Sequence, residues 1–126
     1  MIYGIGTDIV CIKRIEESLA KFGDRFLHRI LNNAEIAEYA EHGQPARFLA
    51  KRFAVKEAFS KAFGTGIGAE VSLHDVAVSH DALGKPTIAP SAELAARLAA
   101  QGVSAMHVSI SDEAEYAIAY VVLEKP

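Results

Sequence analysis

Pro45-Ala-Arg-Phe-Leu-Ala-Lys-Arg-Phe-Ala-Val-Lys-Glu-Ala-Phe-Ser-Lys-Ala-Phe-Gly64 reads as one long helix, with proline where a helix starts well and glycine where it stops. Phe48, Phe53, Phe59 and Phe63 spread around much of its circumference. An amphipathic surface helix would keep its apolar residues on one stripe, so this pattern predicts a helix buried on most sides. Charges on such a helix need partners or a ligand.

Toward the N-terminus, Asn32 and Glu35 have the spacing of a capping box, which opens a helix running to Gly43. A short helical turn precedes it at residues 26–31. Before that, Ile12, Ile15, Leu19 and Phe22 fall on one stripe that ends at Gly23. Residues 2–10 alternate as a strand, with Tyr3, Ile5, Thr7 and Ile9 on one face and Gly4, Gly6 and Asp8 on the other. The second face is nearly bare backbone leading up to a carboxylate, which leaves room for something other than a side chain to approach.

Toward the C-terminus, residues 64–68 carry three glycines. Residues 75–79 and 87–89, joined by a turn at 83–86, read as a hairpin. Ser91 caps an alanine-rich helix ending at Gly102, and residues 106–111 and 116–123 alternate across an acidic turn. No repeat or linker interrupts the chain. The expectation is an α+β fold, a single domain over residues 1–126 with a mainly antiparallel sheet packed against the long buried helix.

The chain has 126 residues, 51% of them hydrophobic, enough for a core of its own. Its one cysteine, Cys11, cannot form an internal disulfide. No targeting leader precedes the first strand, and no apolar run approaches the length of a membrane span, so a cytoplasmic protein without membrane insertion is expected. The net charge of -3 speaks against a nucleic-acid binder. Basic residues nevertheless cluster in two islands, Lys13, Arg14, Lys21, Arg25 and Arg29, then Arg47, Lys51, Arg52, Lys56 and Lys61. They are either solvated helix faces or the footprint of an anionic ligand or partner.

Glu57 and Lys61 stand one helical turn apart. That spacing suits an ordinary surface ion pair, and equally a charged site. Asp8 is either a loop acid at a strand end or a second carboxylate for the same site. Two carboxylates from separate elements are what a magnesium ion needs when substrate phosphates and water complete its shell. The five histidines are scattered without zinc spacing. His107, Ser109 and Ser111 share one strand face, which lines a cleft or faces solvent, and the absence of a Gly-x-Ser-x-Gly elbow weighs against a serine hydrolase. The glycines from Gly64 through Gly66 to Gly68 do not form a P-loop, but permit close backbone approach to a ligand.

Gly4-Ile-Gly-Thr-Asp-Ile9 and Arg52-Phe-Ala-Val-Lys-Glu-Ala-Phe-Ser-Lys-Ala-Phe-Gly-Thr-Gly-Ile-Gly68 resemble the two signatures of the phosphopantetheinyl transferases, in their single-domain branch. Lys13-Arg-Ile15, Arg25-Phe26, Arg29-Ile-Leu31, Gly84-Lys-Pro86 and His107-Val-Ser-Ile-Ser111 follow in that branch's order. The resemblance implies transfer of phosphopantetheine from coenzyme A to a serine of an acyl carrier protein. It implies that Asp8 and Glu57 hold Mg2+ and that Lys61 lies against the reacting phosphate, these three forming the catalytic set. Arg52, Lys56, Lys61, Gly64, Gly66, Lys85, Pro86 and His107 are expected to meet coenzyme A. Arg14, Lys21, Arg25, Phe26 and Arg29 are expected to dock the acidic carrier. The branch is typically a homotrimer with active sites between subunits. The base that takes the serine proton is not identified; a carboxylate, acting directly or through a metal-bound water, is the candidate. A non-catalytic module that binds an acidic partner or nucleotide is the main rival, distinguished by binding without a metal requirement.

Overall fold

The computed structural model describes all residues, Met1–Pro126. Strand β1 (Ile2–Cys11) leads directly into α1 (Ile12–Phe22), α2 (Asp24–Ile30), α3 (Asn33–Glu41) and the long α4 (Pro45–Phe63). A 3₁₀ turn at Leu73–Asp75 precedes β2 (Val76–His80) and β3 (Pro86–Pro90), then α5 (Ala92–Ala100), β4 (Ala105–Asp112) and β5 (Tyr116–Glu124). Every strand pairing is antiparallel. The strands make two sheets rather than one: a three-stranded sheet in the order β1-β5-β4, and the β2–β3 hairpin standing apart as its own ribbon.

The capping box forms as its spacing predicts. The Asn32 side chain accepts from the Glu35 amide and the Glu35 carboxylate from the Asn32 amide. Gly64 ends α4 at φ 100°, a left-handed value that disfavours any residue with a Cβ. Ser91 caps α5 by accepting from the Leu94 amide.

Helix α4 is the axis of the core, with Leu49, Ala54, Val55, Ala58 and Phe59 fully buried. It lies unusually close to β1. A methyl group added at Gly4 would sit on the carbonyl oxygen of Ala62, and one at Gly6 on that of Ala58 and 2.7 Å from the Ala62 amide. What approaches the bare face of β1 is therefore the backbone of α4. The other face of the three-stranded sheet is uncovered, and its β1 and β5 portion is apolar: Ile5, Ile9, Tyr116, Ile118 and Tyr120 are each 41–60% exposed.

Candidate active site

The glycine contact brings Asp8 against α4. Asp8 sits opposite Ala119, which is fully buried, so the carboxylate points to the helix side of the sheet. Lys61 reaches back and donates to Asp8 Oδ1 at 3.1 Å and to the Thr7 carbonyl at 3.0 Å. Glu57, one turn earlier, is half-buried at the same spot. Burial first, and then the negative charge of Asp8, hold its carboxyl above the ordinary 4.5, with Lys61 pulling the other way. Three of the sequence-predicted residues thus meet, with two hard oxygen donors mutually repelled and one lysine that only partly offsets them. That donor set suits a magnesium ion whose remaining ligands come from phosphate and water.

A carboxyl raised in the folded state favours the fold while protonated. Stability from this group is present below its unfolded-state value and is lost as pH rises through the raised one. In chelator, Glu57→Gln should therefore raise Tm at neutral pH by about 2 °C and flatten the loss between acid and neutral pH, as read by calorimetry across that range.

Asp8 and Glu57 line one cavity together with Cys11, Arg14, Phe26 and Phe53. Phe26 also lines the adjoining hollow with Phe22, Arg25 and Arg29, so the first basic island runs without a break into the carboxylate site. Lys21 lies over the Phe22 ring at 5.2 Å.

The structure moves two expected coenzyme A residues elsewhere. Lys56 is fully buried and donates to Glu35 Oε1 at 2.6 Å, the Ile30 carbonyl at 2.8 Å and the Leu73 carbonyl at 2.9 Å, which leaves no proton for a phosphate. Arg52 is 3% exposed, and its guanidinium is tied to Glu35, Glu38 and the Val78 carbonyl. The residue that sequence reasoning missed is Glu35, which is buried and answers both cations. Its capping role was a sufficient account of it, and the only further signal was that two cations on a buried helix require an anion.

Gly64 and Gly66 lie in an exposed loop where an added Cβ would meet nothing, so the loop is open to a ligand. Lys85 and Pro86 occupy the end of the β2–β3 turn, which Asp81 fixes by accepting from the Leu83 and Lys85 amides. His107 is paired with Glu124 on the open face of the sheet, together with Ser109 and Ser111 and opposite in direction to Asp8. Within one chain it does not join the carboxylate site. Arg47 of the second island staples the β4–β5 turn through Asp112 and the Glu113 and Ala114 carbonyls.

The family model described as the 4'-phosphopantetheinyl transferase superfamily matches residues 4–121. A holo-[acyl-carrier-protein] synthase of Laribacter hongkongensis is 56% identical over 124 residues, covering 98% of this chain and 99% of that one. The crystal structure of holo-[acyl-carrier-protein] synthase from Neisseria meningitidis superposes with a TM-score of 0.96 at 50% identity, covering 99% of this chain and 100% of that one. The Bacillus anthracis synthase in complex with CoA (3',5'-ADP) superposes with a TM-score of 0.84 at 42% identity, covering 100% and 99%.

Proposed function

The chain belongs to the 4'-phosphopantetheinyl transferase superfamily, within its holo-[acyl-carrier-protein] synthase family, and from that premise we propose that Asp8, Glu57 and Lys61 form its catalytic centre. The enzyme transfers the phosphopantetheine arm of coenzyme A to a serine of apo-acyl carrier protein, releasing adenosine 3',5'-bisphosphate, and so supports fatty acid biosynthesis. The observation that carries the catalytic assignment is the convergence of two carboxylates and a lysine at the mouth of a cavity that continues into a basic, phenylalanine-bearing surface.

Asp8 and Glu57 would hold Mg2+, which supplies neutralising charge at the diphosphate when bound. The carrier serine oxygen forms a bond to phosphorus while the bond to the adenosine bisphosphate oxygen breaks, and Lys61 is placed to stabilise charge on the phosphate as this happens. Lys61 reaches that phosphate by leaving Asp8, whose charge it otherwise shares. The serine proton passes to a base, for which a carboxylate of this pair is the candidate.

The test is intact mass of the carrier after incubation with the enzyme, coenzyme A and Mg2+. A gain of one phosphopantetheine, lost on chelation, supports this reading; transfer undiminished in chelator would remove Mg2+ from it.

Arg14, Lys21, Arg25 and Arg29, with Phe26 as the apolar anchor, form the docking surface for the acidic carrier. Arg25→Glu with Arg29→Glu should raise KM for the carrier by about tenfold or more and leave KM for coenzyme A unchanged, and the wild-type KM should climb with salt where the variant's does not.

The uncovered sheet face supports self-association; that the assembly is a homotrimer, in the cytoplasm, we take from the family resemblance. Five large apolar side chains in one contiguous patch are what a subunit contact buries. From the family resemblance, which puts active sites between subunits, we infer that His107, Lys85 and Pro86 of one copy serve the carboxylate site of its neighbour. No helix of the chain is long and apolar enough to cross a membrane. Ile9→Glu with Ile118→Glu should shift the protein from trimer to monomer in sedimentation and lower specific activity at least about tenfold.

A further inference from the structure

Most of the buried charge in this molecule lies just behind the catalytic residues, on the far side of α4. The Glu35 carboxylate accepts from the Asn32 amide, Lys56 Nζ, Arg52 Nη1 and the Val78 amide. Lys56 also donates to Ile30, the last residue of α2, and to Leu73 in the 3₁₀ turn. One carboxylate and one ammonium therefore join α2, the N-terminus of α3, α4, the 3₁₀ turn and β2, and no buried side-chain polar atom is left without a partner.

This arrangement is poorly explained by stability alone. Replacing a buried ion pair with apolar residues of similar volume is often neutral or stabilising. What such a pair supplies that apolar packing lacks is direction, because each hydrogen bond fixes an angle as well as a distance. The joined elements are those that must hold register during transfer. Helix α2 carries Arg25, Phe26 and Arg29; β2 leads to the turn bearing Lys85 and Pro86; α4 carries Glu57 and Lys61.

We propose that Glu35 and Lys56 are positioning residues of the transfer reaction, clamping the rotation of α4 so that Glu57 meets Asp8 in the geometry that holds the metal. The inference rests on the reading of Asp8 and Glu57 as the metal site. Lys56 and Glu57 are successive residues, about 100° apart around the helix. A bond network that fixes the direction of Lys56 fixes that of Glu57 as well. A rotation of about 10° would sweep a side-chain end lying about 5–6 Å from the helix axis through about 1 Å. A misplacement of about 1 Å can cost about 10²-fold in rate.

The experiment follows transfer to apo-carrier as a function of Mg2+ concentration, well below the Tm of each protein. Glu35→Gln with Lys56→Met removes both charges together and keeps an acceptor for one of the two main-chain amides, that of Asn32 or that of Val78. It should fold, with unchanged far-UV circular dichroism, yet need about tenfold more Mg2+ for half-maximal rate and lose about 10–100-fold in kcat, the scale seen when a group supporting a metal ligand is lost. KM for the carrier should change far less. Glu35→Gln alone, which leaves Lys56 and Arg52 buried without their carboxylate, is the harsher variant and should move the same quantities in the same direction.

Wild-type Mg2+ dependence in either folded variant would overturn the proposal, and failure of both to fold would do so too, by assigning the pair to stability. If Asp8→Asn were also fully active, the metal-site reading itself would be what had failed. With Asp8→Asn inactive and the double variant normal, only the positioning role falls.

Discussion

Asp8→Asn should leave a folded, carrier-binding protein whose kcat/KM for phosphopantetheine transfer is lower by about 10²–10³-fold, the size of effect seen when one fixed electrostatic stabiliser is taken from a reacting centre. The amide keeps the shape of the carboxylate but lacks the charge that faces Glu57 and draws in Lys61. Removing it relieves repulsion in the resting enzyme, so stability should be unharmed while turnover collapses. The measurement is a single-turnover assay of carrier mass at saturating coenzyme A and Mg2+, with a melting curve on the same preparation. Raising Mg2+ tenfold should recover only part of the loss, since one of the two protein carboxylates is gone. Activity within about threefold of wild type would show that Asp8 is no more than a local partner for Lys61.

Gly6→Ala is expected to be the most damaging small substitution in the chain. The new methyl would overlap the Ala58 carbonyl oxygen and lie 2.7 Å from the Ala62 nitrogen and 3.0 Å from the Ala58 carbonyl carbon. All of these are backbone atoms of a buried helix, so no side chain can swing aside. Either β1 lifts from α4 or α4 bends, at about 3 kcal/mol or more, the upper range for overpacked cores. For a chain of this size that lowers Tm by on the order of 10 °C. Activity should fall further than stability explains, because Asp8 rides on the displaced strand, two residues along. Gly43→Ala is the control: Gly43 is exposed, its φ is not left-handed and an added Cβ there meets nothing, so its Tm should move by less than about 1 °C. Equal effects from the two substitutions would mean that the tight strand–helix contact does not govern the site.

Much of the architecture was legible because its signals are local. Glycine stops, the Asn32–Glu35 box, the Ser91 cap and the period-two strands each depend on a handful of adjacent residues. Of the site, Asp8, Glu57 and Lys61 were nominated from residue type and spacing together with a family resemblance, and the fold brings them together. What was not legible depends on which way α4 is turned. Arg52, Lys56, Glu57 and Lys61 look alike as charges on one helix, yet the first two face the buried Glu35 and the last two face Asp8. Sequence spacing assigns each a relative angle but not an absolute one, and the partner that sets it, Glu35, lies seventeen residues from Arg52 across a turn. The bare face of β1 was similarly visible, but nothing local could say that a helix backbone would fill it. Separation of the β2–β3 ribbon from the main sheet is also a tertiary outcome, since hairpin chemistry specifies the turn and not the neighbour.

The pairing of β1 has a consequence for how the chain is made. Its only hydrogen-bonded neighbour is β5, from Ile2 against Glu124 to Cys11 against Tyr116, so β1 waits for a strand made more than a hundred residues later. At ordinary translation rates of about 5–20 residues per second the interval is on the order of ten seconds. Throughout it, a glycine-bearing strand with Ile5 and Ile9 on one side has no edge to join. Helices α1 to α4 can form locally during that time, but the carboxylate site cannot, because Asp8 reaches Glu57 only when β1 is laid down. β1 can therefore be laid down only once β5 has been made, and a nascent chain stalled before Tyr116 should be open to proteases throughout β1.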